Sequence, residues 1–388
     1  MKSKLKFITK SIHVGNKPDS LTGAVIPPLN LTSTFQQESV GVNKGFDYSR
    51  AGNPTTKRYE DNIASLEACD FAISFSSGMA AITALFQLLK KGDHVVIGRN
   101  TYGGTYRLIT QILKKHGFEF DFVDTRSTEK IKSAIKSNTK WVFVETPTNP
   151  LLELCDIKAT SELCREKNIL LAVDNTFMSP YGQSPIALGA DVVMHSATKY
   201  IGGHSDLISG VLITNKNSIA ESLYFIQKSG GAVPSPFDSW LLLRSTKTLG
   251  LRVQRQSDNA FELAKNLEGH NAINSIIYPG LKSHPQNKLA IKQQLNPNGN
   301  PIFGSVFSIV LKSLEKRDAF LKKIKLFTLA ESLGGVESLI SVPYDMTHVS
   351  VPAEVKKKMG LPKTLVRLSV GIEDIDDLHS DIIQALNE

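Results

Sequence analysis

Cysteine is scarce in this chain. The 388 residues include only three cysteines, Cys69, Cys155 and Cys164, and no two of them form a CxxC pair. An odd count without paired spacing argues against a disulfide framework, which secreted domains of small size often need. We therefore expect reduced thiols and a cytoplasmic location.

Long apolar runs are also lacking. No stretch approaches the ~18 residues that a helix needs to cross a bilayer, so no membrane association is expected. Lysines interrupt the apolar residues of the start, MKSKLKFITKSIHVG, which argues against a secretory signal. A hydrophobic content of 41% with 21% charged residues is typical of a globular protein, and the length suggests two or three packed units.

Nucleotide-binding fingerprints are absent. The sequence contains neither GxGxxG nor GxxxxGK[ST], which argues against a nicotinamide oxidoreductase and against an ATP site. The net charge of +8 raises the alternative of nucleic-acid binding. However, the lysines are scattered, the densest run is only Lys356 to Lys358, and basic stretches do not alternate with aromatics. A solvated lysine-rich surface is the better interpretation, and no nucleic-acid partner is expected.

The chain divides into three parts by composition. Residues 1–57 are rich in Gly, Pro, Asn, Ser and Thr and resemble an arm that lies against something larger. Residues 58–247 alternate helical segments, beginning with Arg58 to Ala68, with short apolar strands, and residues 248–388 form a helical stretch and a smaller α/β unit. The predicted strands are FAISF, HVVI, WVFVE, ILLAVD, DVVMH, GVLIT, SVFSIVL and LVRLSV. This alternation predicts an α/β fold with a mostly parallel sheet covered on both faces.

A turn of small residues, Ser76 to Met79, stands between a predicted strand and a predicted helix. The free N–H groups and the dipole of a helix N-terminus favour a bound phosphate. The same residues are also typical of an ordinary helix cap, so this turn alone leaves both interpretations open.

An aspartate ends the buried stretch ILLAVD. Burying the carboxylate of Asp174 in that position costs free energy unless it meets a cation or a hydrogen-bond donor. The nearby spacing supplies no second carboxylate or histidine pair, so no metal site is predicted.

Lys199 follows the next predicted strand, behind Ser196 and Thr198. It comes about one strand–helix–strand step after Asp174, so neighbouring parallel strands would bring both side chains into one site. Tyr102 precedes two glycines, on a turn where its ring can lie flat on another ring.

Pyridoxal phosphate (PLP) requires these parts together. The cofactor needs a lysine for a Schiff base, an acidic partner for its pyridinium nitrogen and a cradle for its phosphate. An aromatic ring that stacks on the cofactor completes the set.

The sequence resembles the Cys/Met-metabolism family of PLP enzymes, the transsulfuration group, over essentially its whole length. The resemblance rests on AVIPPLNLTSTF, YSRAGNPT, SSGMAAI, TYGGTYR, ETPTNP, VDNTFMSPY, HSATKYIGGHSD, LFTLAESLGGVESL, MTH and VRLSVGIED. It implies the aspartate-aminotransferase-like fold (PLP fold type I), with an arm at 1–57, a large PLP domain at 58–247 and a small C-terminal domain at 248–388. It also implies a homotetramer, a dimer of active dimers.

The resemblance assigns cofactor roles to residues of this chain. Lys199 would be the Schiff-base lysine and a catalytic residue, Asp174 the partner of the pyridine nitrogen, and Tyr102 the stacking and second catalytic residue. The other residues expected to bind the cofactor, mostly at its phosphate, are Gly78, Met79, Ser196, Thr198, Thr176 and, from the neighbouring subunit, Tyr48 and Arg50.

The resemblance also implies a small amino-acid substrate. Asn149, Arg367 and the backbone near Ser332 would hold its α-carboxylate, because a guanidinium fork suits a carboxylate. Arg107 would meet the distal carboxylate of cystathionine, and Glu331 would lie beside the substrate.

Several reactions of the group fit these residues. The segments VIPPLNLTSTF, ETPTNP, DNTFMSPY and GGAVPSPFDS are most similar to cystathionine γ-lyases, which favours that activity. Cystathionine γ-synthase and cystathionine β-lyase are the alternatives. Gly104 replaces a cysteine usual in methionine γ-lyases, and Leu333 replaces a tryptophan of the best-known bacterial β-lyases.

Overall fold

Two β-sheets organise the chain, of which the computed structural model describes residues 5–349 and 351–387. The first sheet has seven strands in the spatial order β1-β7-β6-β5-β4-β2-β3. β2 to β6 run parallel where they pair, and only β7 is antiparallel to its neighbours β1 and β6. The strands are β1 (Phe71–Phe75), β2 (His94–Gly98), β3 (Glu119–Val123), β4 (Thr139–Glu145), β5 (Leu170–Asp174), β6 (Val192–Ser196) and β7 (Gly210–Thr214).

Helices cover both faces of this sheet, as predicted. In β5 the side chains of Leu171 and Val173 pack with Ile157 and other residues on one face, while Ala172 packs with Leu85 on the other. The helices of this part are α1 (Phe7–His13), α2 (Pro54–Leu66), α3 (Gly78–Phe86), α4 (Gly103–Gln111), α5 (Thr128–Ala134), α6 (Ile157–Glu166), α7 (Ser179–Gly182), α8 (Asn217–Gly230) and α9 (Pro236–Thr246), with a short 3-10 turn at Leu113–His116. Burial on both faces explains why these strands are almost continuously apolar.

The second sheet has five strands in the order β10-β11-β12-β9-β8 and is mostly antiparallel. Its strands are β8 (Ile273–Ile277), β9 (Val306–Leu311), β10 (Thr328–Leu329), β11 (Leu339–Ser341) and β12 (Leu365–Ser369). The accompanying helices are α10 (Leu249–Asn266), α11 (Asn287–Gln293), α12 (Leu314–Lys323), α13 (Ala353–Met359) and α14 (Ile375–Leu386). The predicted smaller α/β unit is therefore confirmed.

The predicted start of the first long helix was wrong by four residues. α2 begins at Pro54 rather than Arg58, because the Asn53 side chain accepts the N–H of Thr55 at 2.9 Å and caps the helix. Proline suits the first helical position because its missing N–H would have no partner there. The strand β3 was not predicted, since its sequence EFDFV begins with a charged residue on an edge.

The sheet order decides where the polar strand ends meet. β4, β5 and β6 are parallel neighbours, so Glu145, Asp174 and Ser196 emerge at one edge of the sheet. The boundaries at 57 and 247 stay predictions; residue 57 lies within α2, and residue 247 lies between α9 and α10. Within the described ranges, no helix combines the length and apolarity required to span a bilayer.

Asp381 provides a test of how the last helix is anchored. Its buried carboxylate accepts the N–H of Lys325 at 2.9 Å and of Leu326 at 2.8 Å. Asp381→Asn keeps one good acceptor and leaves one buried donor unsatisfied, so we expect a loss of about 1–3 kcal/mol in unfolding free energy. Thermal denaturation measures this, and an unchanged melting temperature would contradict the anchoring role.

Candidate active site

Lys199 lies in the turn after β6, where Ser332 holds its side chain. Its Nζ donates to the Ser332 hydroxyl at 2.8 Å. Burial, and next the charge of Arg367, lower the pKa of Lys199 to about 8, and Glu331 opposes this shift. Ser332 has φ of 97°, a left-handed conformation that few residues other than glycine adopt, so surrounding contacts must hold it in place. The result is a positioned amine that is partly neutral near neutral pH.

Arg367 lies in β12 and is only 2% exposed. Its Nη1 donates to Asn149 Oδ1 at 3.0 Å, and its Nη2 donates to the Ser332 carbonyl at 2.6 Å. Nε is buried and has no hydrogen-bond partner in the described part of the chain. Burial lowers the pKa of Arg367 to about 10, which still leaves it charged at neutral pH. A buried guanidinium with an unused donor suits a carboxylate ligand.

Asp174 ends β5 directly beside Met194 of β6. It is 7% exposed, and its Oδ1 accepts the N–H of Thr176 at 3.0 Å. The Thr176 hydroxyl in turn accepts the N–H of Ser196 at 2.8 Å, which joins the ends of the two strands. Burial raises the pKa of Asp174, so a cation brought to this carboxylate would be strongly favoured.

The start of α3 forms a cradle with Ser196. A Cβ added to Gly78 would lie 3.0 Å from Ser196 Oγ, and one added to Gly210 would lie 2.3 Å from the Ser77 carbonyl. The Ser77 side chain caps the helix by accepting the N–H of Ala80 at 3.0 Å. Close packing of backbone and hydroxyl at a helix N-terminus is an arrangement that suits a phosphate.

Tyr102 stands at the start of α4 and is 39% exposed. A Cβ on Gly104 would lie 2.5 Å from Tyr102 Cε1 and 2.9 Å from Met79 Sδ, so Tyr102 and Met79 converge on this glycine. A larger residue at position 104 would occupy space that the Tyr102 ring needs. Tyr102 thus has an exposed ring next to the phosphate cradle, where it can stack on a planar ligand.

Several other predicted site residues make contacts within this chain or are exposed. Thr198 Oγ1 accepts the N–H of Ser209 at 3.0 Å and donates to its carbonyl at 3.2 Å. Arg50 Nη1 donates to the Lys228 carbonyl in α8 at 2.5 Å, and its guanidinium lies 5.5 Å from the Tyr48 ring centre. Arg107 lies in α4 and is exposed. The expected roles of these residues stay predictions.

Glu145 is a site residue that sequence reasoning missed. It is 6% exposed, and its Oε2 accepts the N–H of Tyr102 at 2.8 Å while Oε1 accepts the N–H of Asn149 at 3.1 Å. Burial, and next the charge of Asp174, raise the pKa of Glu145 well above its ordinary value. The signal was present, because WVFVE ends a buried strand with a carboxylate just as ILLAVD does.

Sequence reasoning also missed a buried pair of side chains, His195 and Glu67, close to the same edge of the sheet. His195 Nε2 and Glu67 Oε1 are 2.6 Å apart, and both side chains are almost completely buried. His195 alternates with Ser196 along β6, so it faces the opposite side of the sheet.

Comparison with known proteins decides the family. Residues 8–387 match the family model described as "Cys/Met metabolism PLP-dependent enzyme". The chain belongs to this family. A "Cystathionine gamma-lyase" of Dictyostelium discoideum is 50% identical over 384 residues, 99% of this chain and 98% of that protein. A "Cystathionine beta-lyase" of Lactococcus lactis is 46% identical over 380 residues, 98% of both chains.

The solved structures extend the similarity to three dimensions. The crystal structure of metB from Corynebacterium glutamicum superposes with a TM-score of 0.95 at 45% identity, and the match covers 100% of this chain and 99% of that one. The predicted fold, with its large mostly parallel sheet and smaller second sheet, is confirmed.

The residues present fit PLP. Gly78 leaves the space of a side chain beside the Ser196 hydroxyl, where a phosphate needs close backbone approach. Asp174 is a buried carboxylate at the same sheet edge, and Lys199 is a half-buried amine with a lowered pKa. These groups are an acid, an amine and an anion cradle, as the cofactor requires.

Two glycines test the phosphate cradle. In Gly210→Ala the new methyl group would overlap the Ser77 carbonyl and displace the start of α3. We expect the PLP dissociation constant to rise about tenfold, the effect of losing roughly one hydrogen bond. Gly230→Ala is the control, because a Cβ there meets nothing within 4 Å. Titration of the cofactor-free protein measures both, and equal affinities would show that the cradle lies elsewhere.

Proposed function

We propose that this protein is a PLP-dependent cystathionine γ-lyase, which converts cystathionine to cysteine, 2-oxobutanoate and ammonia. The observation that carries the proposal is the connection of Lys199 to Arg367 through Ser332. The amine donates to the hydroxyl of Ser332, whose carbonyl accepts from the guanidinium. A proton-transfer group and a carboxylate-binding group are therefore held at a fixed relation, as chemistry at the α-carbon of an amino acid requires.

The proposed cofactor contacts come from residues at or just after the ends of β5 and β6 and from residues at the starts of α3 and α4. Lys199 would bond to the cofactor aldehyde, Asp174 would pair with the pyridinium nitrogen, and Tyr102 would stack on the ring. The phosphate would be held by Ser196, Thr198 and the backbone at Gly78 and Met79, with Thr176 supporting Ser196. When bound, the cofactor supplies an electron sink for negative charge that develops at the substrate α-carbon.

The chain's own groups would orient the substrate and move protons. Arg367 and Asn149 would hold the α-carboxylate, and this places the α-hydrogen near Lys199. The neutral amine of Lys199 would take the proton from Cα, pass it on, and then take one proton from Cβ, so that the Cβ electron pair can form a Cβ=Cγ double bond. The Cγ–S bond then breaks, and Tyr102 or Lys199 would protonate the departing sulfur. Water completes the release of 2-oxobutanoate and ammonia.

The choice of the γ-carbon rests on similarity more than on geometry. The relative from Dictyostelium discoideum supports a γ-lyase, and Leu333 after Ser332 argues against one known β-lyase pattern. The relative from Lactococcus lactis keeps β-lyase as a second candidate. A β-lyase would break the Cβ–S bond and release homocysteine, pyruvate and ammonia.

The proposal includes a site shared between subunits of a cytoplasmic homotetramer. Tyr48 and Arg50 lie on an arm whose apolar residues are widely exposed, including Leu21 at 93% and Leu31 at 71%. Such exposure is unusual for an isolated chain and is relieved when a second copy covers the arm. Tyr48 and Arg50 would then reach the phosphate of the neighbouring site, while Arg107 and Glu331 would contact the distal part of the substrate.

Product analysis tests the reaction. We expect cystathionine to yield cysteine and 2-oxobutanoate, with little turnover of O-succinylhomoserine plus cysteine or of homocysteine. Lys199→Ala should lose the visible absorbance of the bound cofactor and reduce turnover by at least about a hundredfold, since general acid–base catalysis contributes that much. Pyruvate as the main ketoacid would show that the protein is a β-lyase rather than a γ-lyase. An unchanged absorbance and turnover in Lys199→Ala would overturn the assignment of this lysine.

The pH dependence of cofactor capture tests the state of Lys199. Only the neutral amine attacks an aldehyde, so the rate of covalent PLP binding by the cofactor-free protein should rise with pH and level off above about 8. Glu331 raises the pKa of Lys199, so Glu331→Gln should move the midpoint to lower pH. Stopped-flow absorbance measures the rate, with Glu315→Gln as the control. A midpoint near the ordinary lysine value of 10.5 would contradict the burial of this amine.

A further inference from the structure

Glu145 connects the two loops that carry the stacking residue and the substrate-binding amide. We propose that Glu145 is a positioning residue whose carboxylate holds Tyr102 and Asn149 at a fixed separation, so that cofactor binding and substrate binding depend on one another. The roles of Tyr102 and Asn149 in this inference rest on the proposed function; the connection between them does not.

The hydrogen bonds give each carboxylate oxygen a different loop. Oε2 accepts the N–H of Tyr102, which lies between β2 and α4, at 2.8 Å. Oε1 accepts the N–H of Asn149, four residues beyond the end of β4, at 3.1 Å. These two donors favour the ionised form of Glu145 and so oppose the effect of burial on its pKa. The ionised carboxylate offers two equivalent acceptor oxygens, whereas an amide of the same shape offers one acceptor and one donor group. Glutamate can therefore accept both backbone N–H groups, whereas glutamine can accept only one of them.

The connection continues through the rest of the site. Asn149 accepts from Arg367, Arg367 donates to Ser332, and Ser332 accepts from Lys199. The contacts therefore run unbroken from the backbone of Tyr102 to the amine of Lys199. A shift of either loop would change the position of the α-carboxylate relative to the cofactor ring, and small misplacements of this kind reduce activity strongly.

The position of Glu145 is costly, which argues for a specific role. Its side chain is almost completely buried, and Asp174 occupies the directly opposite position on the neighbouring strand. The carboxylate of Glu145 accepts the N–H groups of Tyr102 and Asn149, while burial and the charge of Asp174 raise its pKa. Burying two neighbouring carboxylates is unfavourable, and an apolar residue in place of Glu145 would avoid that cost. The two backbone donors are what the carboxylate gains in return.

Glu145→Gln in the purified holoenzyme is the first test. Hydrogen exchange by mass spectrometry would report on peptides covering residues 99–106 and 146–153. We expect exchange at both segments to accelerate together by about tenfold, as for the loss of roughly one hydrogen bond. The rate of PLP loss on dilution and the KM for cystathionine should each rise by a similar factor, with a smaller change in kcat. Glu145→Ala, which removes both acceptors, should exceed Glu145→Gln in each measurement.

Asp381→Asn is the matched control. It makes the same carboxylate-to-amide change at a buried group with two backbone donors, in a helix of the second part of the chain. We expect it to lower the melting temperature without changing PLP loss, KM or exchange in either segment. If Glu145→Gln behaves like this control, or if only one of the two segments responds, the coupling role is wrong.

The exchange measurement also separates this inference from the proposed function. A wild-type protein that binds PLP but does not cleave cystathionine would contradict the proposed reaction only. Joint acceleration of the two segments in Glu145→Gln would still support the connection in that case. Unchanged exchange together with normal cystathionine cleavage would contradict the connection only.

Discussion

The buried guanidinium of Arg367 is the contact on which the rest of the site depends. It lies in the second sheet and binds Asn149, which follows a strand of the first sheet, and also Ser332. Removing an acceptor from a buried guanidinium is costly, so these partners are constrained in position. Ser332 in turn positions the amine of Lys199. The two parts of the chain thus meet at the group that is proposed to hold the substrate.

The parallel strand order supplies the other half of the site. Because β4, β5 and β6 are adjacent, Glu145, Asp174 and Ser196 emerge side by side at one edge. The reversed strand β7 brings Gly210 against Ser77 at the start of α3, where no side chain would fit. A run of carboxylate, carboxylate and hydroxyl next to a helix N-terminus gives this edge separate places for a cation and an anion.

Much of the site was predictable from local pattern. Asp174 and Lys199 were expected to meet because each follows a buried strand one crossover apart, and adjacent parallel strands β5 and β6 do place them at one edge. The contacts of Thr198 were not predictable, since its hydroxyl satisfies the backbone of Ser209. Glu145 escaped notice although it ends a buried strand as Asp174 does, because its role depends on its two donors, the N–H groups of Tyr102 and Asn149. Both donors come from loops whose folding depends on distant contacts.

The sequence by itself determined the alternation of strands and helices, the parallel sheet and the family. Apolar periodicity and the small-residue loops are local properties of the sequence, so they can be recognised without knowing how the rest of the chain folds. Only the tertiary structure decided that Arg367 reaches Asn149 and Ser332, and that Glu145 joins two loops. The pairing of Arg367 with Asn149 links residues far apart in sequence and depends on how the two sheets pack together. Glu145 meets Tyr102 because β4 and β2 are neighbours in the first sheet.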